Sequence, residues 1–324
     1  MLYPLKFNPI FKEKVWGGNK IKRVLGQDYG NLENCGELWA ISGVEGDQSI
    51  VENGFLKGNE LNDLVEIYMG DLVGETVFEK FGNDFPLLIK FIDANEALSI
   101  QVHPNDELAL KRHDGFGKNE MWYIIQAEKD AELISGFKNE MDQESYLKAL
   151  NENRIKEVLN FEKANQGDVF DIPAGRVHAI GSGILLAEIQ QTSDITYRIY
   201  DWDRKDDKGN TRELHTDLAL QAIDFEKINN YKTIYNAEEN QISPIISNQY
   251  FTTNIIKFDQ PILKETLEFD SFIIYICNKG SFEVKSSEGS VTISTGETVL
   301  IPAEMKNFEL IPKGKTEVLE VYIS

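Results

Sequence analysis

Cysteine and histidine are scarce in this 324-residue chain, which contains two cysteines and four histidines. Cys35 and Cys277 lie far apart in the sequence, which argues against a disulfide framework and against a cysteine-based zinc site. Sparse cysteine is typical of proteins that work in a reducing compartment. We therefore expect a cytoplasmic protein, and we look for metal ligands among nitrogen and oxygen atoms.

Long apolar segments are also missing. No stretch approaches the roughly 20 apolar residues that span a bilayer. The first residues, MLYPLKFNPIFKEKVWGG, have neither the apolar core nor the small-residue cleavage site of a signal peptide. The apolar fraction of 41% and the charged fraction of 27% are those of a globular protein. The sequence thus predicts a soluble protein without a membrane partner, and its length predicts roughly two domains.

Basic residues are outnumbered, with 33 Lys and Arg against 54 Asp and Glu, so the net charge is −21. A field of that sign repels nucleic acids and anionic membranes, which argues against both as partners. It also repels an anionic small molecule, so a phosphate-bearing ligand requires a local cluster of cations. The candidates are Lys90, Lys118, Arg198 and Arg204. Each of them could instead balance a neighbouring carboxylate, and this alternative stays open.

Hydrophobic periodicity predicts mostly short strands with three added helices. The helices are expected at about 61–69, with Asn59 as the N-cap, at about 147–159 and at about 214–223. The predicted strands are 87–92, 98–102, 121–125, 169–172, 184–189 and 195–200, then 271–277, 281–284, 297–302 and 316–323. A polar, asparagine-rich segment at about 228–249 separates the two groups of strands, and we interpret it as a domain connection.

A weak internal repeat links the two parts of the chain. GDVFDIPAGRVHAI, from Gly167, and GETVLIPAEMKNFEL, from Gly296, share a glycine, five residues and a proline, with an apolar strand leading into the proline. Two related barrels are therefore predicted, one in each half. Five residues past its proline, the first copy has His178 and the second has Asn307, so a metal ligand is expected only in the first.

Four side chains form a predicted metal site: Gln101, His103, Glu120 and His178. Gln101 and His103 alternate along one strand and face the same side, while Glu120 opens the next strand and His178 follows the proline turn. A barrel brings such strand ends to one interior point. Mixed nitrogen and oxygen ligands without sulfur suit one zinc ion per chain, with manganese or cobalt as alternatives. Taken singly, each residue has an ordinary structural interpretation as well.

Several segments are more specific than this pattern, and LSIQVHPND is the most specific because ordinary cupins have histidine at the position of Gln101. The others are VWGG, GELWAISG, GKNE and IPAGRVHAIGSGILLAEIQQTSDITYRIYDWDR. Together they resemble type I mannose-6-phosphate isomerases of the cupin superfamily, in their short bacterial form. The similarity covers about residues 3–225, and the C-terminal part fits by position rather than by motif.

The resemblance implies a mainly β fold with two cupin-type jelly-roll barrels and a few added helices. Residues 1–230 would form the metal-binding catalytic domain, and residues 231–324 a C-terminal barrel without metal ligands. It also implies that the four side chains named above bind zinc and that Arg198 is the catalytic arginine. Longer members have lysine six residues after that arginine, where this chain has Arg204, so the charge is kept but the donor geometry differs.

The implied reaction interconverts mannose 6-phosphate and fructose 6-phosphate. A proton moves between C1 and C2 through an enediol, which requires a base near the carbons and an electrophile at the oxygens. Zinc would polarise the carbonyl, and Arg198 would hold the developing oxyanion, with Arg204 as a further catalytic candidate. Glu188 is the leading candidate for the base, although it could equally pair with Arg198. The expected substrate-binding residues are Ser99, Lys90 and Lys118, with both lysines near the phosphate.

Two rival functions stay open. An iron-dependent cupin dioxygenase would favour three histidine ligands and an apolar cavity, and both Gln101 and the predicted cations argue against it. A non-catalytic cupin that binds a sugar phosphate would keep the same ligands and cations, so only an assay separates it from an enzyme. We favour the isomerase, acting on a phosphosugar as a monomer or a small homo-oligomer.

Overall fold

The computed structural model describes residues 1–205 and 208–324, and it is mainly β. The strands of the first part are β1 (Ile10–Gly18), β2 (Cys35–Ile41), β3 (Leu87–Ala94), β4 (Ile100–Val102), β5 (Glu120–Ala127), β6 (Glu132–Phe137), β7 (Leu159–Lys163), β8 (Val169–Ile172), β9 (His178–Ala179), β10 (Ile184–Gln191), β11 (Tyr197–Tyr200) and β12 (Lys232–Thr233). Those of the second part are β13 (Gln241–Ser247), β14 (Thr252–Phe258), β15 (Ile262–Glu265), β16 (Ile273–Lys279), β17 (Ser281–Lys285), β18 (Ser290–Ser294), β19 (Thr298–Ile301), β20 (Asn307–Pro312) and β21 (Thr316–Tyr322). The helices are α1 (Lys20–Arg23), α2 (Leu61–Tyr68), α3 (Gly70–Val73), α4 (Glu75–Phe81), α5 (Asp106–His113), α6 (Gln143–Asn151), α7 (Ile155–Val158) and α8 (Thr216–Ala222).

The first part folds into two open antiparallel sheets. The larger sheet has the strand order β1-β2-β3-β10-β5-β8-β12, and the smaller has the order β11-β4-β9-β6-β7. The central strands β3, β5 and β10 are buried on both faces, because one face packs on the smaller sheet and the other on the second part of the chain. Burial on both faces explains why these strands read as continuous apolar runs in the sequence.

The face of the larger sheet that looks into the first half changes from apolar to polar along its strands. At one end, Ile92, Leu186 and Ile124 lie side by side in the core between the sheets. Two residues further along these strands, the next row on the same face contains Lys90 and Glu188. Because strand side chains alternate with a period of two, these charged groups must point inward with the apolar ones. The polar end of this face becomes the candidate site.

The second part of the chain forms two more open sheets, with the orders β13-β14-β21-β16-β19 and β15-β20-β17-β18. Their inner faces enclose a separate apolar core that includes Phe258, Tyr275 and Phe282. The outer face of the larger of these sheets packs against the large sheet of the first part, and residues of both contribute to one extensive core. The two halves are therefore joined by apolar packing between sheets.

Most predicted strands are confirmed, with ends that differ by a few residues, whereas the predicted helix at 147–159 is wrong as a single element. It is divided into α6 and α7, and the break falls where the sequence reads Asn-Glu-Asn. The helix α2 starts at Leu61 with Glu60 as N-cap. The predicted cap, Asn59, instead donates its side-chain amide to the Leu56 carbonyl at 2.7 Å. The predicted connection at 228–249 contains β12, which pairs with β8, and β13, which pairs with β14.

The internal repeat has matching local structure in both halves. In each copy a strand ends just before the proline, and five residues past the proline His178 begins β9 and Asn307 begins β20. The copies differ in the direction of that side chain. His178 is buried, whereas Asn307 is exposed and the next residue, Phe308, fills the core. The second half thus turns a phenylalanine inward near the position at which the first half presents an imidazole.

Two findings concern the scarce features of the sequence. Cys35 and Cys277 are both buried and free, so the expected lack of a disulfide framework is confirmed. Among the helices of residues 1–205 and 208–324, none combines the length and the apolar character that a membrane crossing requires.

Candidate active site

Three strands bring the predicted metal ligands together. Gln101 on β4 pairs directly with His178 on β9, so both side chains face the interior of the first half. Glu120 begins β5 in the opposite sheet, and His103 directly follows β4. The candidate ligand atoms of His103, Glu120 and His178 all lie within 4.8 Å of one another, and all three residues are buried. The strand alternation on which the prediction rested is therefore present.

Backbone carbonyls orient both imidazoles. His103 Nδ1 donates to the Ile195 carbonyl at 2.8 Å, and His178 Nδ1 donates to the Arg176 carbonyl at 2.8 Å. With Nδ1 protonated, each Nε2 keeps a lone pair, and both point to the Glu120 carboxylate, at 3.2 Å from His103 and 3.8 Å from His178. Outer hydrogen bonds of this kind fix the tautomer and direction of metal-binding histidines.

The group has unused ligand capacity. Within the described residues, His103 Nε2 and Glu120 Oε2 are buried without a hydrogen-bond partner, which is costly unless a cation or proton completes them. The Gln101 amide lies 3.3 Å from His178 Nε2, and half a turn of that amide presents its oxygen at the same point. Two imidazoles, a carboxylate and an amide oxygen are a fitting donor set for a divalent transition metal.

The protonation states favour a cation as well. Burial lowers the pKa of His103 to about 3, and the nearby Lys118 ammonium adds to the effect. Burial also lowers the pKa of His178. For Glu120, burial acts to raise the pKa, but Lys118 and His103 more than offset it, so that its pKa lies below the usual range. Near neutral pH the group therefore holds two neutral imidazoles and a carboxylate, which are the forms that bind metals.

A cavity of about 480 Å³ opens beside this group. Its walls include Gln101 and Ser99, together with six Lys and Arg side chains and five Asp and Glu side chains, one of which is Glu120. The local excess of positive charge stands in a protein whose net charge is −21. Three of the four predicted cations, Lys90, Lys118 and Arg198, thus line the cavity, where they are interleaved with carboxylates.

Lys90 and Lys118 both line the cavity, and each is paired with a buried carboxylate. Lys90 Nζ lies 3.3 Å from Glu188 and 5.0 Å from the centre of the Trp39 ring, and Lys118 Nζ lies 3.2 Å from Glu120. Both lysines are at most 5% exposed. The pairing that was left open as an alternative is therefore what the structure contains, and it occurs within the cavity wall.

Glu188 also lines the cavity, but its partners differ from the expected one. Its carboxylate accepts a hydrogen bond of 2.9 Å from Trp122 Nε1 and pairs with Lys90. The predicted alternative of a pair with Arg198 is wrong, because Arg198 donates to the Glu213 carbonyl at 2.9 Å from another wall. Burial, reinforced by the Glu120 charge, raises the pKa of Glu188.

Arg198 points into the cavity as its strand pattern predicts. Its neighbours Tyr197 and Ile199 pack on the other face of β11, and Arg198 pairs across the strands with Gln101. Its Nε is buried without a partner among the described residues. His215, at the start of α8, forms two hydrogen bonds with the Arg198 backbone. Its Nδ1 accepts from the Arg198 N–H at 3.1 Å, and its backbone N–H donates to the Arg198 carbonyl at 2.7 Å.

Among the predicted site residues, Arg204 lies neither on the cavity wall nor in the group formed by His103, Glu120 and His178. Its guanidinium donates to the Ala97 carbonyl at 2.7 Å and to Asp201 at 3.4 Å. The strand β11 ends at Tyr200, and the chain has already turned away when it reaches residue 204. As a correction to its expected direct role, Arg204 is linked to the site, among the described residues, through Asp201, which also accepts from Arg212 at 2.7 and 2.5 Å.

Sequence reasoning missed a second set of lining residues. Arg212, Lys14, Glu37 and Trp39 all border the cavity. The last three lie on β1 and β2, which join the large sheet beside β3 only through long-range pairing. The segments VWGG and GELWAISG, which belong to the family resemblance, overlap these strands and were the available signal. For Arg212 the sequence offers no comparable signal.

Comparisons with known proteins identify relatives over the whole chain. The model of the phosphomannose isomerase type I catalytic domain matches residues 4–156, and that of the mannose-6-phosphate isomerase cupin domain matches residues 241–323. Mannose-6-phosphate isomerase ManA of Bacillus subtilis is 36% identical over 313 residues, covering 95% of each chain. Mannose-6-phosphate isomerase of Streptococcus mutans is 36% identical over 324 residues, covering 98% of each chain.

Solved structures agree with this relationship. The crystal structure of the mannose 6-phosphate isomerase from Bacillus subtilis matches with a TM-score of 0.88 at 32% identity, covering 99% of both chains. A putative mannosephosphate isomerase from Archaeoglobus fulgidus matches with a TM-score of 0.79 at 19% identity, covering 99% of this chain and 97% of that one. At 19% identity the second match shows a shared fold and nothing about function. From the full-length identities, the chain belongs to the type I mannose-6-phosphate isomerase family of enzymes.

Proposed function

We propose that the protein interconverts mannose 6-phosphate and fructose 6-phosphate with one zinc ion bound by Gln101, His103, Glu120 and His178. The observation that carries the proposal is the buried His–Glu–His group beside a cavity with an excess of cations, in a protein of net charge −21. The ligand group supports metal-assisted chemistry, and the cations support an anionic substrate. The curated names of the full-length relatives agree with this reaction.

The donor set supports zinc. Neutral nitrogen ligands, a carboxylate and an amide oxygen are borderline in softness, and the absence of sulfur ligands does not disfavour zinc in a catalytic site. When bound, the ion would supply Lewis-acid polarisation of a carbonyl oxygen. The three-histidine set of the dioxygenase alternative is not available here, because the fourth position holds Gln101.

Glu188 is our proposed base. Burial and the neighbouring Glu120 charge raise its pKa, which brings a carboxylate closer to the pKa at which it accepts and returns a proton efficiently. It would take the proton from C2 of the aldose and return it to C1, while the hydroxyl proton on O2 passes to O1, so that an enediol forms and collapses without net proton loss. Trp122 Nε1 and Lys90 hold the carboxylate in one orientation.

Arg198 is our proposed oxyanion donor. Its unpartnered Nε and its place opposite Gln101 on the neighbouring strand suit a group that binds charge developing on the substrate oxygens. We propose that Ser99, Lys90 and Lys118 contact the sugar, since all three line the cavity. The proposed role of Arg204 is indirect, through its hydrogen bond to Asp201.

The architecture and setting complete the proposal. We propose that each half is a cupin-type jelly roll, with residues 1–230 as the catalytic domain and residues 231–324 as a second domain without metal ligands. In the second half the buried Phe308 points into the core, which supports a domain without metal ligands there. We further propose a cytoplasmic protein that acts as a monomer or a small homo-oligomer.

A coupled assay tests the function. Purified protein is supplied with mannose 6-phosphate, and fructose 6-phosphate is measured as it forms, before and after removal of metal with a chelator. We expect turnover that is lost on chelation and restored by zinc. Binding of mannose 6-phosphate without turnover by the metal-loaded protein would instead establish the alternative, a non-catalytic sugar-phosphate-binding cupin.

A further inference from the structure

Arg212 lies in the segment between β11 and α8, and its side chain borders the cavity. The Asp201 carboxylate, which is 5% exposed, accepts two hydrogen bonds from this guanidinium, from Nε at 2.7 Å and from Nη2 at 2.5 Å. This side-on pair fixes the planar fork in one orientation. Among the described residues, Nη1 and the second hydrogen of Nη2 make no hydrogen bond and remain as donors, and about a third of the side chain is exposed.

The cavity cations divide into two groups by their partners. Each of the four lysines has a carboxylate of its own: Lys12 has Asp47, Lys14 has Glu37, Lys90 has Glu188 and Lys118 has Glu120. The two lining arginines, Arg198 and Arg212, have only Asp201 within ion-pair distance among the described residues, and it binds Arg212; the fifth lining carboxylate, Asp194, makes no ion pair with either of them. Arg204 also forms an ion pair with Asp201, so the single negative charge of Asp201 is shared between two arginines. The excess positive charge of the cavity therefore lies on the arginine side.

The positions of the lysines also bear on where a phosphate binds. Lys118 contacts Glu120, which is a metal ligand in the proposed function, and Lys90 contacts the proposed base. Both lysines thus lie at the end of the cavity where C1 and C2 of the sugar react. The phosphate is on C6, at the other end of the substrate. It requires a cationic group away from the reacting carbons and not already neutralised by its own carboxylate.

We propose that Arg212 binds the substrate phosphate and that Asp201 and Arg204 are positioning residues for it. The inference rests on the proposed function, and it replaces Lys90 and Lys118 as the phosphate ligands expected from the sequence. Arg212 offers two adjacent N–H donors from Nη1 and Nη2, which match two phosphate oxygens. Asp201 orients this fork, and Arg204 donates to the same oxygen, Asp201 Oδ1, at 3.4 Å and to the Ala97 carbonyl at 2.7 Å.

The test compares a phosphorylated with an unphosphorylated substrate. For Arg212→Ala we expect kcat/KM for mannose 6-phosphate to fall by about 10- to 100-fold, mainly through KM, as for the loss of a charge-assisted hydrogen-bonded pair. The kcat/KM for mannose should be unchanged.

Arg212→Lys should recover part of the loss in kcat/KM for mannose 6-phosphate, and Asp201→Asn should give a smaller rise in KM than Arg212→Ala. Arg154→Ala, on an exposed arginine paired with Glu152 and Glu157, controls for the change in net charge.

The possible outcomes separate this inference from the proposed function. Equal losses for both substrates, or no loss with mannose 6-phosphate, would overturn the role of Arg212. If the wild-type protein fails to isomerise mannose 6-phosphate, the proposed function fails, and calorimetric titration with inorganic phosphate decides the inference separately. Binding by the wild type that is lost in Arg212→Ala supports it. Equal binding by both proteins, or no binding by the wild type, contradicts it.

Discussion

Arg198 differs from the cavity lysines in having no carboxylate within ion-pair distance among the described residues. Its guanidinium donates to the Glu213 carbonyl, and burial together with nearby Arg212 lowers its pKa. A guanidinium remains charged under such conditions. A charged donor that the protein itself leaves incompletely paired is suited to a negative charge that appears only during the reaction.

We predict that Arg198→Ala lowers kcat by about 10²–10³, which corresponds to about 3–4 kcal/mol of lost transition-state stabilisation. Arg198→Lys should retain only part of the kcat that Arg198→Ala loses, because lysine lacks the planar guanidinium group. The measurements are steady-state kinetics, metal content and a melting curve. Metal content and melting should stay close to those of the wild type, and Arg23→Ala, on the exposed face of α1, serves as a control. A nearly unchanged kcat, or a failure to fold, would remove Arg198 from the chemical step.

The metal group gives a second prediction at the level of single residues. His178→Ala removes one of two buried imidazoles, and the bound zinc should fall from one per chain to well below one. Elemental analysis after dialysis measures this directly. His113→Ala is the matched control, since His113 ends α5 and hydrogen-bonds Tyr197 rather than the ligand group. Full metal retention in His178→Ala would show that the ion binds elsewhere.

How much of the site could be predicted from the sequence depends on how local the signal is. Gln101 and His103 are two residues apart on one strand, so alternation alone places them on one face. Arg212 reaches the cavity through a segment without periodicity, and Trp39 reaches it because β2 pairs with β3. Such placements depend on long-range pairing and have no local pattern. The same is true of the choice of Lys90, rather than Arg198, as the partner of Glu188.

At the level of elements, a row of three side chains crosses the large sheet of the first half. Lys90, Glu188 and Trp122 lie side by side on β3, β10 and β5. The central carboxylate accepts from the tryptophan and pairs with the lysine. All three residues are buried, so the carboxylate depends on these two neighbours for its stabilisation.

The second half repeats this row without the metal ligands. Asn254, Glu320 and Tyr275 lie side by side on β14, β21 and β16. Glu320 accepts from the Asn254 amide at 3.0 Å and from the Tyr275 hydroxyl at 2.7 Å, and Lys264 Nζ completes it at 2.5 Å. The internal repeat therefore extends beyond the proline turn. A buried carboxylate therefore belongs to the sheet framework of both halves, and the one in the first half, Glu188, lines the cavity of the candidate site.

We predict that Glu320→Gln destabilises the protein by about 3 kcal/mol, because it leaves Lys264 largely buried without its carboxylate. Denaturant unfolding measures the change. The exposed Glu268, on the loop after β15, provides Glu268→Gln as a control that should be nearly neutral. Isomerase activity per folded, metal-loaded molecule should be unaffected. An unfolding free energy equal to that of the control would mean that the buried row contributes nothing to the second half.

The accuracy of the element predictions follows from which faces are buried. The strands β3, β5 and β10 were predicted because both of their faces are largely apolar. β1 was not predicted, because Lys12 and Lys14 point into the cavity and interrupt the alternation with charge. On β1 the charged residues of the site thus obscure the secondary-structure signal, whereas β3, β5 and β10 also line the site but keep the signal because most of their other side chains are apolar.

On the scale of the whole molecule, the two halves share one apolar core. Phe85, before β3, packs against Phe272, before β16, with ring centres 4.8 Å apart, a tilt of 42° between the rings and both rings fully buried. Leu5 forms backbone hydrogen bonds with Leu300 in both directions. Tyr123 on β5 donates to Glu317 on β21 at 2.7 Å. These contacts cover the back of the strands that carry the site, so we expect the second half to be required for the stability of the first.

The contact between Phe85 and Phe272 allows a test of this coupling. Phe272→Ala removes a ring from the core between the halves, and we expect a loss of about 3–5 kcal/mol. Because the same core supports both halves, calorimetry should show a single transition that moves to lower temperature, with release of the metal at the same point. Phe161→Ala, at a partly exposed position on β7, should move the transition much less. Two separate transitions, of which only one responds to Phe272→Ala, would mean that the halves fold independently and that the metal-binding half does not need its partner.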